Sequence, residues 1–67
     1  MFDFLWGFSY IKLKSGNKLY LEQSYYDLNN MMKDSNSTIT VDVVDWTGIF
    51  SDRRVINKSD IVDYGSN

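Results

Sequence analysis

The sequence predicts a β-rich α+β fold, built as a small curved antiparallel sheet or a partly open barrel with the element order β-β-α-β-β-β. Several runs alternate apolar and polar residues with the period of a strand, whereas a single segment shows helical spacing. A chain of 67 residues is long enough for one domain only, so residues 1–67 are predicted to form a single domain.

The first two strands are predicted to form a hairpin, because two alternating runs flank a Gly-Asn turn signal. A loop of odd length, over residues 15–17 or 14–18, places Leu13 opposite Leu19 and Ile11 opposite Leu21. We prefer this register because it gathers the apolar residues on one face, and a slip of one residue would mix the faces. These four side chains are expected to nucleate the core.

The outer face of this hairpin carries Tyr10, Lys12, Tyr20 and Glu22, with two further lysines at its tip. Aromatic rings that stack on bases, interleaved with lysines that contact phosphates, are typical of single-stranded nucleic-acid binding. The alternative is that the lysines keep an exposed strand edge soluble. The candidate nucleic-acid face comprises Tyr10, Lys12, Lys14, Lys18, Tyr20, Arg53 and Arg54.

A helix of two to three turns is expected after the hairpin. Ser24 is placed to cap it, with Asp27 at the acidic position of a capping box. Tyr25, Leu28 and Met32 form an apolar stripe. The helix is expected to end in the turn cluster of residues 34–37.

Residues 38–46 form the second strong strand pattern. Its alternation breaks at Val43 and Val44, which predicts a β-bulge there. Such a bulge turns Val44 and Trp46 inward and leaves Asp42 and Asp45 in water. Without it Asp45 would point into the core, which is costly unless the carboxylate is paired.

The remaining chain predicts a strand over residues 49–56, a turn over 57–60 with a 3₁₀ turn capped by Ser59, a short closing strand over 61–64 and a frayed tail over 65–67. The strand, single turn and closing strand between Arg53 and Tyr64 resemble the way in which SH3-like and Sm-like barrels end. The strand of residues 18–22 lacks the glycine that Sm-type barrels place there. An open α+β sheet with the helix across one face is the alternative.

Catalysis is not expected, because the chain contains no His and no Cys. General acid–base and nucleophilic chemistry near neutral pH draws mainly on those side chains, and structural zinc needs them as ligands. Asp42 with Asp45, or Asp60 with Asp63, offer oxygen ligands for Mg²⁺, although solvated surface charge explains them equally well. We therefore predict no catalytic residue, no cofactor and no metal.

Binding to a protein partner is the predicted function. The net charge is −2, and residues 34–67 carry six aspartates against three basic residues, which suits a basic partner surface. The candidate acidic contacts are Asp42, Asp45, Asp52, Asp60 and Asp63, and the candidate aromatic contacts are Phe4, Trp6 and Trp46. Residues 1–8 are expected to form a first strand or an aromatic lead-in that plugs the barrel end, with Phe4 and Trp6 in the core. The alternative is an exposed aromatic anchor for a partner or a second protomer.

The hairpin–helix–strand order and the acidic balance are similar to those of small phage inhibitors of uracil-DNA glycosylase. That resemblance implies antagonism of a host nucleic-acid enzyme or defence complex, with the aspartates imitating a row of phosphates if they share one side. Ala and Pro are absent and residues with AT-rich codons abound, which is typical of phage or mobile-element proteins.

Self-association is also expected, since so short a chain without Cys or His has no disulfide or zinc site to stabilise it. A homodimer is the simplest solution. We expect a cytoplasmic protein without a membrane segment, because Asp3 interrupts the N-terminal apolar run and no basic residue precedes it.

Overall fold

The computed structural model describes residues 8–45 and 50–67. The elements in chain order are β1 (Ser9–Leu13), β2 (Lys18–Leu21), α1 (Tyr25–Lys33), β3 (Thr38–Val44), β4 (Ser51–Asn57), a 3₁₀ turn (Lys58–Asp60) and β5 (Ile61–Ser66). The strands form one antiparallel sheet in the order β4-β3-β2-β1-β5, which is not closed into a barrel. The predicted fold class and element order are confirmed.

The sheet must be strongly curved, because β4 and β5 lie at its opposite edges and only the 3₁₀ turn joins them. Four interstrand steps in a flat sheet would separate these strands by about 19 Å. The chain from Asn57 to Ile61 reaches at most about 14 Å. The 3₁₀ turn is anchored on the first hairpin, where the Lys14 N–H donates to the Asp60 carbonyl at 2.8 Å.

The hairpin has the predicted faces but a different register. Ile11 lies opposite Leu19, and Leu21 lies opposite Ser9, so the predicted pairing is wrong by two residues. Gly16 explains the difference: its N–H donates to the Leu13 carbonyl at 2.8 Å, and its φ is +96°. A three-residue hairpin loop places a left-handed residue, preferably Gly, at its last position. The loop therefore covers residues 14–16, with Gly16 at its end and not at its centre.

Strands β3 and β4 pair in continuous register, from Thr38 opposite Asn57 to Val44 opposite Ser51. The predicted bulge at Val43 and Val44 is therefore wrong. The two valines point to opposite faces of an undistorted strand, and both are half-buried. Asp45, one residue beyond β3, is also half-buried.

An irregularity occurs instead between β1 and β5. Lys12 pairs with Asp63 while Leu13 pairs with Ile61, so Val62 is the extra residue on β5. Two further predictions fail nearby. Residues 65–67 do not fray, because β5 stays paired with β1 through Ser66 and the Asn67 N–H donates to the Phe8 carbonyl. No side chain caps the 3₁₀ turn, so Ser59 is not a cap.

The core lies between the sheet and α1. Its buried apolar residues are Ile11, Leu21, Leu28, Ile39, Val41 and Ile56, with Leu13 and Leu19 partly buried against them. The helix is capped as predicted, since the Ser24 hydroxyl accepts the Asp27 N–H at 3.1 Å. Of the predicted apolar stripe, Leu28 is fully buried, whereas Tyr25 stays 42% exposed and stacks on Tyr64.

Candidate interaction surfaces

The Tyr/Lys cluster on the outer face of the hairpin consists of Tyr10, Lys12, Lys18 and Tyr20. Tyr10 lies opposite Tyr20 and Lys12 opposite Lys18. The Lys18 Nζ lies 4.4 Å from the centre of the Tyr10 ring and 5.4 Å from that of Tyr20. Lys18, expected at the tip of the hairpin, thus lies over both rings in cation–π contact.

An aspartate from β5 completes this face. Asp63 lies opposite Lys12, and its Oδ2 accepts the Tyr10 hydroxyl at 3.1 Å. This hydrogen bond to the carboxylate, with partial burial and the negative charge, raises the pKa of the Tyr10 hydroxyl above its usual value. Asp63, predicted as part of an acidic partner site, therefore belongs to the Tyr/Lys cluster.

This composition limits what the Tyr/Lys cluster can bind. A base that stacked on Tyr10 or Tyr20 would compete with the Lys18 ammonium for the same ring faces. A phosphate near Lys12 would also meet the Asp63 carboxylate on the neighbouring strand. The cluster therefore has aromatic rings and positive charge in the predicted places, but the Lys18 ammonium already contacts both rings within the chain.

Asp42 is held by a second internal network. The Gln23 side chain binds it twice, since its Nε2 donates to Asp42 Oδ2 at 3.0 Å and its Oε1 accepts the Asp42 N–H at 3.0 Å. Arg53 pairs with the other carboxylate oxygen at 3.2 Å. The Gln23 hydrogen bond and then the Arg53 contact lower the pKa of Asp42. This carboxylate joins β3 to β4 and to the segment after β2.

The candidate acidic residues do not form a single row. Asp42 and Asp52 lie on opposite faces of the sheet, because Asp42 pairs with Arg53 and Asp52 pairs with core-facing Val43. Asp63 lies beside Tyr10, and Asp60 belongs to the 3₁₀ turn. The basic candidates also separate: Arg53 lies on the outer face, two strands away from Tyr20, and Arg54 lies on the core-facing side.

Two other polar contacts had no signal in the sequence. The Lys58 Nζ donates to both the carbonyl and the Oδ1 of Asp34, at 2.9 and 2.8 Å, and lowers the pKa of that carboxyl. The Tyr64 hydroxyl donates to Asn29 Oδ1 at 2.9 Å. Both contacts join chain segments that are far apart in sequence, and both attach the last part of the chain to α1 or its end.

The edge of β4 that faces away from β3 is a further candidate interaction surface. Within residues 8–45 and 50–67, β4 pairs only with β3. The Asp45 N–H donates to the Phe50 carbonyl and the Lys58 N–H to the Ser37 carbonyl. These two bonds show which residue pairs of β3 and β4 are the hydrogen-bonded ones. Because bonded pairs alternate along an antiparallel ladder, the outward backbone groups are those of Ser51, Arg53, Val55 and Asn57.

Exposed apolar side chains accompany this edge. Val55, within β4, is 66% exposed, and Phe50, which immediately precedes β4, is 69% exposed. The opposite edge, β5, is less suitable for pairing because the extra residue Val62 interrupts its register, and bulges of this kind protect edges from further strands. The geometry thus distinguishes a regular edge from an irregular one.

A surface cleft lies between the hairpin loop and the 3₁₀ turn, lined by Leu13, Lys14, Ser15 and Asp60. The polar side chains that line it are one amine, one hydroxyl and one carboxylate, those of Lys14, Ser15 and Asp60. Among the described residues, no group of three acidic side chains is close enough together to hold a metal ion. No helix in residues 8–45 and 50–67 has the length and apolar character needed to span a membrane.

The aromatic candidates Phe4, Trp6 and Trp46 lie outside the described residues. Comparison of the chain with protein-family models, with curated proteins and with solved structures finds no match.

Proposed function

We propose that this chain is a non-enzymatic protein-binding module that takes up an extended segment of its partner along the free edge of β4. The observation that carries the proposal is the regular, seven-residue β4, whose outward N–H and carbonyl groups have no strand opposite them among the described residues. Strand addition to such an edge supplies main-chain hydrogen bonds, and neighbouring side chains add specificity.

The side chains beside this edge suit a protein ligand. Val55 and Phe50 offer apolar surface that a partner would cover. Arg53 keeps 75% of its side chain exposed despite its contact with Asp42, so its guanidinium can also bind a partner carboxylate. The absence of His and Cys from the whole sequence supports a role in binding over a role in catalysis.

The proposal retains the antagonism of a host nucleic-acid enzyme or defence complex as the expected biological setting. It assigns the contact to the β4 edge and not to imitation of phosphates. Asp42 is occupied by Gln23 and Arg53, and Asp52 lies on the other face of the sheet, so these two carboxylates do not belong to one phosphate-like row.

The test compares two substitutions at one position. Val55→Pro removes an outward N–H without breaking a bond to β3, whereas Val55→Ala removes the same side chain and keeps the N–H. We expect the wild type and Val55→Ala to retain a partner from nuclease-treated host lysate, and Val55→Pro to lose it while its circular dichroism stays unchanged. Equal capture by a folded Val55→Pro protein would refute strand addition at β4.

Binding of single-stranded nucleic acid is the second candidate, favoured by the assembly of Tyr10, Tyr20, Lys12 and Lys18 on one face. This candidate requires an affinity that falls steeply with salt. Lys12→Glu should then weaken binding of a labelled single strand at least tenfold (~1.4 kcal/mol). Lys33→Glu, the same charge change at the exposed end of α1, should have little effect. Equal effects of both substitutions would exclude recognition by this cluster.

A further inference from the structure

We propose that the β4 edge also pairs with a second copy of this chain, forming a symmetric dimer in which the two β4 strands run antiparallel with Arg53 at the two-fold axis. The inference rests on the proposed function, because it uses the same edge, and it names one partner and one register. Two copies related by a two-fold axis present the same patch to each other, so β4 must be complementary to itself.

Backbone geometry restricts the possible registers. Outward backbone groups belong to Ser51, Arg53, Val55 and Asn57, so these residues must form the hydrogen-bonded pairs with the second copy. A two-fold axis normal to the sheet also keeps like faces together. A residue on the axis must therefore lie opposite its own copy, and the candidates for that position are the residues in the middle of β4.

Charge then selects among the registers. With Arg53 on the axis, Asp52 of each copy lies opposite Arg54 of the other, which gives two opposite-charge pairs on the core-facing side. These pairs fall at non-hydrogen-bonded positions, where side chains approach most closely. With Arg54 or Asp52 on the axis, that residue would instead meet its own charge.

The pair on the axis itself is tolerable. Arg53 would face its own copy on the outer side, but each guanidinium is already partnered by Asp42 of the same chain at 3.2 Å. A register with Val55 on the axis would bring two valines together, yet it would place Asp52 opposite Lys58, whose ammonium is bound to Asp34. The register centred on Arg53 is therefore the one that pairs Asp52 with Arg54, two charged residues of β4 that have no ion pair among the described residues.

Dimerisation would also add to the stability of a chain this short. Sixty-seven residues without a disulfide bury a small core, and chains of this size often gain stability from association. Continuous pairing through β4 would join the two sheets into one ten-stranded sheet and remove the one regular edge that each copy exposes among the described residues.

Charge exchange provides the first test. Asp52→Arg and Arg54→Asp each replace two attractive pairs by two repulsive ones, so each variant should dimerise about tenfold more weakly in analytical ultracentrifugation. An equimolar mixture of the two variants restores both attractive pairs and should form heterodimers with wild-type affinity. The double exchange in one chain should restore the homodimer. A dimer affinity that does not change with these substitutions would overturn the register.

Cysteine cross-linking provides the second test, since the natural chain contains no Cys to interfere. Under mild oxidation Arg53→Cys should cross-link most, Arg54→Cys less and Val55→Cys least, because only residue 53 lies opposite its own copy. A maximum at residue 54 or 55 would contradict the proposed axis. A wild-type chain that stays monomeric at all concentrations would refute the dimer, whereas the Val55→Pro and Val55→Ala comparison would still decide partner binding.

Discussion

Single residues set the geometry of this fold where the hydrophobic pattern does not. Alternation of apolar residues in β1 and β2 correctly separates the two faces of the hairpin, but any shift by two residues preserves that separation. The conformation of Gly16, with a φ of +96°, selects one of these registers. Similarly, the pattern break at Val43 and Val44 is compatible with an undistorted strand, because both faces of β3 are partly covered there.

Gly16→Ala should therefore destabilise the protein by about 1–2 kcal/mol, which is the cost of a left-handed conformation for a residue with a Cβ. Steric contact with the rest of the fold adds no cost, since no atom beyond the two neighbouring residues lies within 4 Å of the position that a Cβ would occupy. Urea denaturation measures the change, and Ser15→Ala in the same loop is the control. An unchanged midpoint for Gly16→Ala would mean that the left-handed conformation is not required.

At the scale of elements, local signals were sufficient where neighbouring residues decide the structure. The Ser24 cap and Leu28 predicted α1, and the alternation of Ile39 and Val41 predicted β3. The contacts that fix one element against another could not be predicted in this way. Gln23 with Asp42 and Tyr64 with Asn29 join residues 19 and 35 positions apart, and a single sequence carries no periodicity that links them.

The docking of β5 on α1 can be tested through one hydroxyl group. Tyr64→Phe removes the hydrogen bond to Asn29 and keeps the ring that stacks on Tyr25 at 6.1 Å. We expect a loss of about 1 kcal/mol in the free energy of unfolding, the usual net value of such a hydrogen bond. The same loss should disappear when Asn29 is already Ala. Additive effects of the two substitutions would show that the contact contributes nothing in solution.

At the scale of the whole molecule, charge pairs join elements that the hydrophobic pattern does not connect. Asp42 joins β3 to β4, and Asp34 binds Lys58 in the 3₁₀ turn that leads to the opposite edge. Of the candidate acidic residues predicted from composition, Asp42 and Asp63 have such contacts within the chain. A count of aspartates cannot separate the two roles, because it does not say which side chain has a cation on the neighbouring strand.

The stability of the molecule should consequently depend on acid pH. Hydrogen bonds to Gln23 and Lys58 lower the pKa of Asp42 and Asp34 in the folded chain, so the unfolded chain takes up protons first, at about pH 3.9. The stabilisation from both groups is therefore complete above that pH and is lost as pH falls through the lower pKa of each folded carboxyl. Thermal unfolding midpoints measured from pH 6 downwards should show this loss (about pH 4 and below).

Asp34→Asn and Asp42→Asn should each reduce the fall of the unfolding midpoint at acid pH, here called the acid limb. The double variant should reduce it further, because the two carboxyls have different partners.

At alkaline pH the dependence of stability on pH has the opposite direction and comes from Tyr10, whose pKa is raised by its hydrogen bond to Asp63. Its stabilisation is present below the pKa of the unfolded tyrosine, about 10, and is lost as pH rises through the higher folded value. Tyr10→Phe should abolish this alkaline loss and leave the acid limb unchanged; an acid limb that survives in the double aspartate variant would assign it to other carboxylates.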